Sequence, residues 1–326
     1  MIELICPAGT PAALRTAVEA GADAVYCGFN DETNARNFPG LNFSRDELCE
    51  AIAFAHGCGV KILVAINTFP RASAVDLWRR AVDDAVQAGA DALILADTGL
   101  MDYAARRHPD QRLHVSVQAA AANPDAISFY VGTFGVRRVV LPRVLSVAEI
   151  AEITREIDCE TEVFVFGGLC VMAEGRCSLS SYATGKSPNM QGVCSPASHV
   201  AYEQTAAGTT SRLGRFTINR FEAGEAAGYP TLCKGRFSTE YGTGYIFEDP
   251  VSLDATTLLA GLRDAGVTAL KIEGRQRGRA YVEGVVRHFR DALKVLEIGG
   301  EADVARLRPF TEGQATTVGA YRKTWR

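Results

Sequence analysis

The sequence lacks the marks of several protein classes. No apolar run approaches the roughly 20 residues that a membrane-spanning helix needs, and the first residues show neither the basic region nor the apolar core of a secretion signal. The 34 Lys and Arg and the 38 Asp and Glu are spread evenly, which gives a net charge of −4 without a basic arm. We therefore expect a cytoplasmic protein that is not integral to a membrane, with nucleic acid a poor candidate partner.

Several catalytic and binding motifs are missing as well. The chain has no G-x-S-x-G elbow of serine hydrolases and no H-E-x-x-H zinc helix. No Gly-rich dinucleotide fingerprint follows an apolar run, and no close C-x2-C pair, common in structural zinc sites and bacterial ferredoxins, occurs among the nine cysteines. Hydrolysis by a familiar nucleophile is therefore disfavoured, and so is an open dinucleotide-binding sheet.

What the chain does contain is a repeated alternation of helical and apolar segments. Glycines stand where helices should end, as in residues 20–26 and 88–95, and a short apolar run follows each of them. This pattern predicts eight strands near 2–6, 23–28, 60–67, 91–96, 113–117, 137–141, 161–166 and 268–273. It predicts helices near 10–20, 44–57, 74–88, 99–107, 123–133, 146–156, 252–264 and 278–296, with Ser44, Ser146 and Ser252 as N-caps.

Eight alternating βα units most simply close into a (β/α)8 barrel of the TIM type, and an open doubly wound sheet is the alternative. The interval after the seventh strand is far longer than an ordinary βα loop. We therefore predict a barrel over residues 1–167 and 252–297, an inserted subdomain over 168–251 with strands near 198–206 and 214–220, and a tail over 298–326. The insertion would leave the barrel at its C-terminal face, where active sites of this fold lie.

Four of the nine cysteines fall in this insertion: Cys170, Cys177, Cys194 and Cys233. They are separated by 6, 16 and 38 residues, in segments rich in Gly, Ser, Asn and Pro. The other five lie in apolar or helical patterns and are expected to be structural thiols. Four thiolates are the ligand set of an iron–sulfur cluster or of a structural zinc ion, and the spacing leaves both open.

Polar residues directly after the predicted strands should point into the mouth of the barrel. The arginines among these residues could bind a carboxylate or phosphate through paired N–H donors. Alternatively, the charged residues could only pair with one another and stabilise the loops. The candidate substrate-binding residues are Arg36, Asn67, Gln118, Arg143, Glu273, Arg275 and Arg277.

Several short stretches resemble peptidase family U32. They are Cys6-Pro7-Ala8-Gly9, Thr33-Asn34-Ala35-Arg36, Gly168-Leu169-Cys170, Glu174-Gly175-Arg176-Cys177 and Lys271-Ile272-Glu273-Gly274-Arg275. Further likeness, at residues 139–146, 228–236 and 312–321, is to members of the family that act in ubiquinone biosynthesis.

The resemblance implies a [4Fe–4S] cluster on Cys170, Cys177, Cys194 and Cys233. It also implies O2-independent hydroxylation of a ubiquinone precursor, with prephenate as oxygen donor and a related paralogue as the partner in a heterodimer. The missing nucleophile argues against peptidase activity. The alternatives are a prephenate-dependent RNA hydroxylase and a non-catalytic iron–sulfur scaffold or sensor.

Overall fold

A computed structural model describes residues 2–172, 174–225, 227–300, 305–311 and 315–322. Its centre is a closed parallel sheet in which the last strand pairs with both the first and the seventh. The predicted (β/α)8 barrel is therefore confirmed. Its strands are β1 (Glu3–Pro7), β2 (Ala24–Cys27), β3 (Lys61–Ile66), β4 (Ala92–Leu95), β5 (Leu113–Val115), β6 (Arg138–Val140), β7 (Glu160–Gly168) and, later in the chain, β14 (Ala269–Ile272).

Helices cover the outside of this barrel. Gly21, Gly89, Gly135 and Gly266 stand between helix and strand with φ between 66° and 103°, the left-handed conformation that the repeated phrase predicts. Ser44 and Ser146 begin their helices with complete capping boxes. The helices are α1 (Pro11–Glu19), α2 (Arg45–Gly57), α3 (Val75–Gln87), α4 (Thr98–Arg107), α5 (Pro124–Phe134), α6 (Val147–Glu156), α7 (Leu179–Thr184), α8 (Leu259–Asp264) and α9 (Arg279–Glu297).

The helix predicted over 252–264 is wrong in its first half. Ser252 is not an N-cap, because Ser252–Asp254 forms strand β13, which pairs antiparallel with the extended end of β7. Helix α8 begins only at Leu259. The long β7 offers free backbone groups at residues 166–168, and β13 satisfies them, which a local helical pattern does not reveal.

The segment between β7 and β13 contains two small antiparallel sheets. Strands β8 (Val200–Thr205), β9 (Gly208–Leu213) and β10 (Phe216–Glu222) form one sheet, and β11 (Arg236–Thr239) and β12 (Gly242–Tyr245) form the other. The strands predicted near 198–206 and 214–220 are thus present as β8 and β10. Strand β9 was missed because its Gly, Thr and Ser residues are typical of a turn.

Part of the predicted tail packs on the barrel. Strand β15 (Thr316–Thr317) adds to β13, and the buried Tyr321 donates its hydroxyl to the Phe164 carbonyl oxygen. Residues 301–304, 312–314 and 323–326 of that tail lie outside the described residues. No helix in the described ranges is both long and apolar enough to cross a membrane.

Small side chains open the inside of the barrel. Ala24, Ala65, Ala92 and Ala269 share one buried interior cluster with Tyr26 and three aliphatic side chains. Alanine at these inward-facing positions leaves room for longer charged side chains that enter the barrel from neighbouring strands. The interior therefore holds charge as well as apolar packing, and this charge lies beneath the mouth.

Candidate active site at the barrel mouth

A cavity of about 40 Å³ lies at the C-terminal ends of the strands. Six of the seven predicted substrate-binding residues line it, while Arg277 does not. The six are Arg36, Asn67, Gln118, Arg143, Glu273 and Arg275. This volume holds a few water molecules, so the mouth is nearly closed in this structure.

The loop after β2 is built around Asn34. Its Nδ2 donates to the Phe29 carbonyl oxygen at 2.9 Å, and its Oδ1 accepts from Arg275 Nη1 at 2.7 Å and from the Arg36 backbone N–H at 3.0 Å. Gly28 must lack a side chain here, because a Cβ would lie 2.6 Å from Asn34 Nδ2. One buried amide therefore holds the Arg275 guanidinium and the backbone at Arg36, which gives the motif Thr33-Asn34-Ala35-Arg36 a structural role.

Asn67 orders the same loop from the end of β3. Its Oδ1 accepts from the Ala35 backbone N–H at 3.1 Å, and its Nδ2 donates to Ser116 Oγ at 3.2 Å. Asn67 is buried, so these bonds satisfy groups that water does not reach. Its first role in this structure is to hold the wall of the cavity.

Glu273 is the acid among the cavity's cations. Its carboxylate forms an ion pair with Arg36 at 3.4 Å. Burial would raise the pKa of Glu273, but the charges of Arg36, Arg143, Arg277 and Arg275 lower it below its ordinary value. Glu273 is therefore an anion at neutral pH.

Arg275 donates to an amide, whereas Arg36 forms an ion pair with a carboxylate. Arg275 is buried, its side chain donates to the neutral amide of Asn34, and its guanidinium carbon lies 5.4 Å from the centre of the Tyr26 ring. Burial, only partly offset by Tyr26 and other groups, lowers the pKa of Arg275 to about 10. A buried guanidinium beside a cavity, with an amide in place of a carboxylate, is suited to an anionic ligand.

Arg143 has a different environment, because it holds the insertion. Its Nε donates to Glu174 Oε1 at 2.9 Å, its Nη1 donates to the Gly168 carbonyl oxygen, and its guanidinium stacks 4.4 Å from the Phe164 ring centre. Both acceptors belong to the segment that carries Cys170. The predicted substrate-binding role of Arg143 therefore competes with an observed structural one.

Sequence reasoning missed Lys271 as a cavity residue. It lies on β14 with its side chain inside the barrel, and it lines the cavity together with Tyr26 and Ser116. The only signal in the sequence was a lysine within a strand expected to be buried on both faces. A charge in that position is rare without a partner.

The insertion is joined to the mouth by backbone contacts. The Asn37 N–H donates to the Gly192 carbonyl oxygen at 3.1 Å, and the Phe69 N–H donates to the Asn189 carbonyl oxygen at 2.9 Å. A Cβ on Gly192 would lie 2.0 Å from the Asn34 carbonyl oxygen, so only glycine permits this approach. These contacts bring the cysteine-bearing loops onto the cavity.

The four predicted cysteine ligands are free thiols and electrostatic neighbours. Burial, followed by the charges of Cys170, Cys233 and Cys177, raises the pKa of Cys194 to about 12. Coulombic interaction also couples Cys170 and Cys194 to the Arg36 guanidinium. Cysteines from three other segments of the sequence therefore act electrostatically on Cys194.

As a donor set, four neighbouring thiols beside cationic side chains suit an anionic iron–sulfur cluster. Among the described residues, no three His, Cys, Asp or Glu side chains are arranged around a single metal ion. In a four-iron cluster each cysteine thiolate binds a different iron. The four cysteine Sγ atoms therefore stand further apart than the ligands of a single metal ion.

Fold and site together define a class: a (β/α)8 barrel whose mouth is covered by a cysteine-bearing insertion after β7. The chain belongs to peptidase family U32, whose model matches residues 9–317. The family resemblance seen in the sequence is thereby confirmed, whereas the narrower likeness to ubiquinone-biosynthesis members stays a prediction.

Three relatives illustrate the range of the family. The chain is 33% identical to tRNA hydroxylation protein P of Escherichia coli over 95% of this chain and 74% of that protein. It is 32% identical to the E. coli 23S rRNA 5-hydroxycytidine C2501 synthase over 94% of this chain and 41% of that protein. It is also 32% identical to the uncharacterized protease MJ0090 of Methanocaldococcus jannaschii, over 90% and 65% of the two chains.

Proposed function

We propose that this protein is a hydroxylase-type enzyme whose barrel mouth binds a small anionic oxygen donor beside a [4Fe–4S] cluster. The observation that carries the proposal is that the cysteine-bearing loops pack on a cavity lined by Arg36, Arg143 and Arg275. Two relatives named for hydroxylation, matched over more than nine-tenths of this chain, support the reaction class. The proposed ligands are Cys170, Cys177, Cys194 and Cys233.

The oxygen donor that the family resemblance implies is prephenate. It carries two carboxylates, and four cations line the cavity: Arg36, Arg143, Lys271 and Arg275. The first three form ion pairs with Glu273, Glu174 and Glu162, respectively. Arg275 is the best placed to bind a carboxylate, since an amide is its hydrogen-bond acceptor in this structure. Asn67 and Gln118 supply neutral hydrogen-bonding groups at the same cavity.

The cluster would supply one-electron transfer. Four thiolates would occupy all four irons, so contacts with the donor and the acceptor ring fall to the barrel residues. Their task is to bind and orient the anion, and to exclude water from the cavity once the insertion has closed.

The acceptor ring is proposed to be an RNA base, because the names of both hydroxylation relatives specify an RNA, tRNA in one and 23S rRNA in the other.

A second candidate for the acceptor is a ubiquinone precursor. It is favoured by the resemblance of residues 139–146, 228–236 and 312–321 to the ubiquinone biosynthesis protein UbiU, and by a net charge of −4 without a basic arm. In that case a UbiV-like paralogue would be the partner in a heterodimer. Peptidase activity is not proposed, since no motif of a hydrolytic nucleophile accompanies the family name.

The deciding experiment is a gene deletion followed by mass spectrometry of both products after anaerobic growth. Loss of a hydroxylated nucleoside from tRNA or rRNA would support the RNA acceptor. Accumulation of an under-hydroxylated quinone precursor would support the second candidate. If neither changes, the hydroxylase proposal fails.

Complementation with variants connects the phenotype to the mouth. Arg275→Gln should fail to restore the product because it removes the proposed carboxylate anchor. Arg106→Gln is the matched control, since Arg106 forms an exposed ion pair with Asp102 within α4. Full restoration by Arg275→Gln would contradict the assignment of the mouth.

A further inference from the structure

Lys271 has no assigned part in the proposed hydroxylation beyond its charge. It is 4% exposed, and its backbone pairs with Ile5 on one side and Phe164 on the other. Its ammonium group lies 3.8 Å from the centre of the Tyr26 ring. An amine held in the barrel interior at the edge of a cavity needs a partner for its charge, and here the partner is Glu162.

Lys271 and Arg275 share one aromatic neighbour. The Arg275 guanidinium carbon lies 5.4 Å from the same Tyr26 ring centre, and the two cations interact electrostatically. Both line the cavity. A ligand in the cavity therefore meets both an amine and a guanidinium, the two groups that a carbonyl next to a carboxylate would need.

A proton acceptor for the amine is present. Lys271 Nζ donates to Glu162 Oε1, and Arg138 Nη1 donates to the other Glu162 oxygen at 3.3 Å. Burial lowers the pKa of Lys271, although the Glu162 carboxylate opposes this shift. Lys271 therefore loses its proton more readily than a lysine on the surface. Lysines in such sites form Schiff bases.

We propose that Lys271 binds a 2-oxo acid covalently as an imine, with Arg275 holding the adjacent carboxylate. The neutral amine attacks the carbonyl carbon, so that a C–N bond forms, and one of its two protons passes to the carbonyl oxygen, which becomes a hydroxyl group. Glu162 takes the second proton from the nitrogen and returns it to this hydroxyl group, so that the C–O bond breaks and water leaves. The C=N bond that results involves no oxidation or reduction.

This inference rests on the proposed function and deepens it. A 2-oxo acid is the functional group of the pyruvyl arm of prephenate, so the imine would anchor that arm at the bottom of the cavity. The cavity of about 40 Å³ is too small for such an acid. The cavity must therefore enlarge when the acid enters.

The test is reductive trapping on the full-length protein. The protein is incubated with saturating pyruvate and cyanoborohydride, digested, and analysed by peptide mass spectrometry. We expect a reduced pyruvate adduct on the peptide that contains Lys271. Absence of this adduct from the folded wild-type protein would overturn the proposal, whether or not any variant folds.

Variants then test the specificity of the trapping. Lys271→Arg should abolish the adduct, and Lys294→Arg is the matched control at an exposed lysine on α9 that should leave it unchanged. Arg275→Gln should require at least tenfold more pyruvate for half-maximal labelling. Labelling of Lys271 no greater than that of the surface lysines in the wild-type protein would mean non-specific chemistry and would contradict the proposal.

Trapping needs neither cluster nor acceptor, so the two proposals can fail separately. Hydroxylation in cells without an adduct at Lys271 would overturn the imine alone. An adduct at Lys271 without any hydroxylated product would overturn the proposed function and leave a 2-oxo acid site.

Discussion

At the residue scale, each acid at the mouth is matched to a particular arginine. Arg36 is paired with Glu273, Arg143 with Glu174, and Arg275 is left with the amide of Asn34. The sequence suggested two roles for the rim charges, and the structure shows one of them directly. Arg143 holds a loop through Glu174, whereas binding of a ligand by Arg275 stays a proposal.

Removing Arg143 should destabilise the protein strongly. Arg143→Met leaves the Glu174 carboxylate buried without its cation, and breaking a buried pair typically costs about 3–5 kcal/mol. Urea unfolding should report this loss. The double variant Arg143→Met/Glu174→Gln should recover part of it, and Arg106→Met, at an exposed pair, should cost under about 1 kcal/mol. An equal loss of unfolding free energy in Arg143→Met and Arg106→Met would contradict a stabilising role for the buried Arg143–Glu174 pair.

Glu273 should contribute to the pH dependence of stability on the acid side. Its pKa in the folded state is below the ordinary value of 4.5, because four arginines outweigh the effect of burial. The unfolded chain therefore binds more protons just below pH 4.5, and stability falls as the pH decreases through the folded-state pKa. Unfolding free energies measured across this range should show a shallower acid decline in Glu273→Gln than in wild type. Identical slopes would mean that the carboxylate has an ordinary pKa.

At the element scale, the predicted barrel elements agree with the structure wherever the pattern is local. Glycine followed by an apolar run marks a helix end and a buried strand, and capping boxes at Ser44 and Ser146 mark helix starts. The pattern failed at Ser252, because β13 exists only by pairing with β7. A strand stabilised by a distant partner leaves little trace in its own residues.

The loop that carries Cys194 should depend on the lack of a side chain at Gly192. Gly192 has φ +75°, and a Cβ there would lie 2.0 Å from the Asn34 carbonyl oxygen. Gly185 has a similar φ of +72° with nothing within 4 Å of a Cβ, so it is a matched control for backbone strain alone. Each alanine should lower the free energy of unfolding by roughly 1–3 kcal/mol because of the left-handed conformation. Gly192→Ala should lower it by more than Gly185→Ala does, because of the close approach to Asn34.

Limited proteolysis gives a second measurement of the same element. Gly192→Ala should expose the segment between β7 and β8 to cleavage, since its contacts with the mouth are lost. Gly185→Ala should be cleaved like wild type. Similar cleavage of both variants would mean that the close approach to Asn34 does not hold the insertion in place.

At the scale of the whole molecule, the predicted [4Fe–4S] cluster takes its four cysteine ligands from four separate segments of the chain. Anaerobically purified protein should be brown and contain about four irons per chain, as a [4Fe–4S] cluster requires. Alanine at Cys170, Cys177, Cys194 or Cys233 should lower the iron content. Cys49→Ala, at an exposed thiol on α2, should not. A colourless protein with one tightly bound zinc would contradict the cluster.

The sequence by itself determined the barrel, the place of the insertion and the chemical types at its mouth, because glycine stops, apolar runs and caps act over a few residues. Only the tertiary structure decided that the cysteine-bearing loops pack on the mouth, that Arg143 pairs with Glu174, and that Lys271 and Arg275 share the Tyr26 ring. These relations join residues far apart in the chain. They depend on barrel closure and on how closely one backbone approaches another, which no local pattern contains.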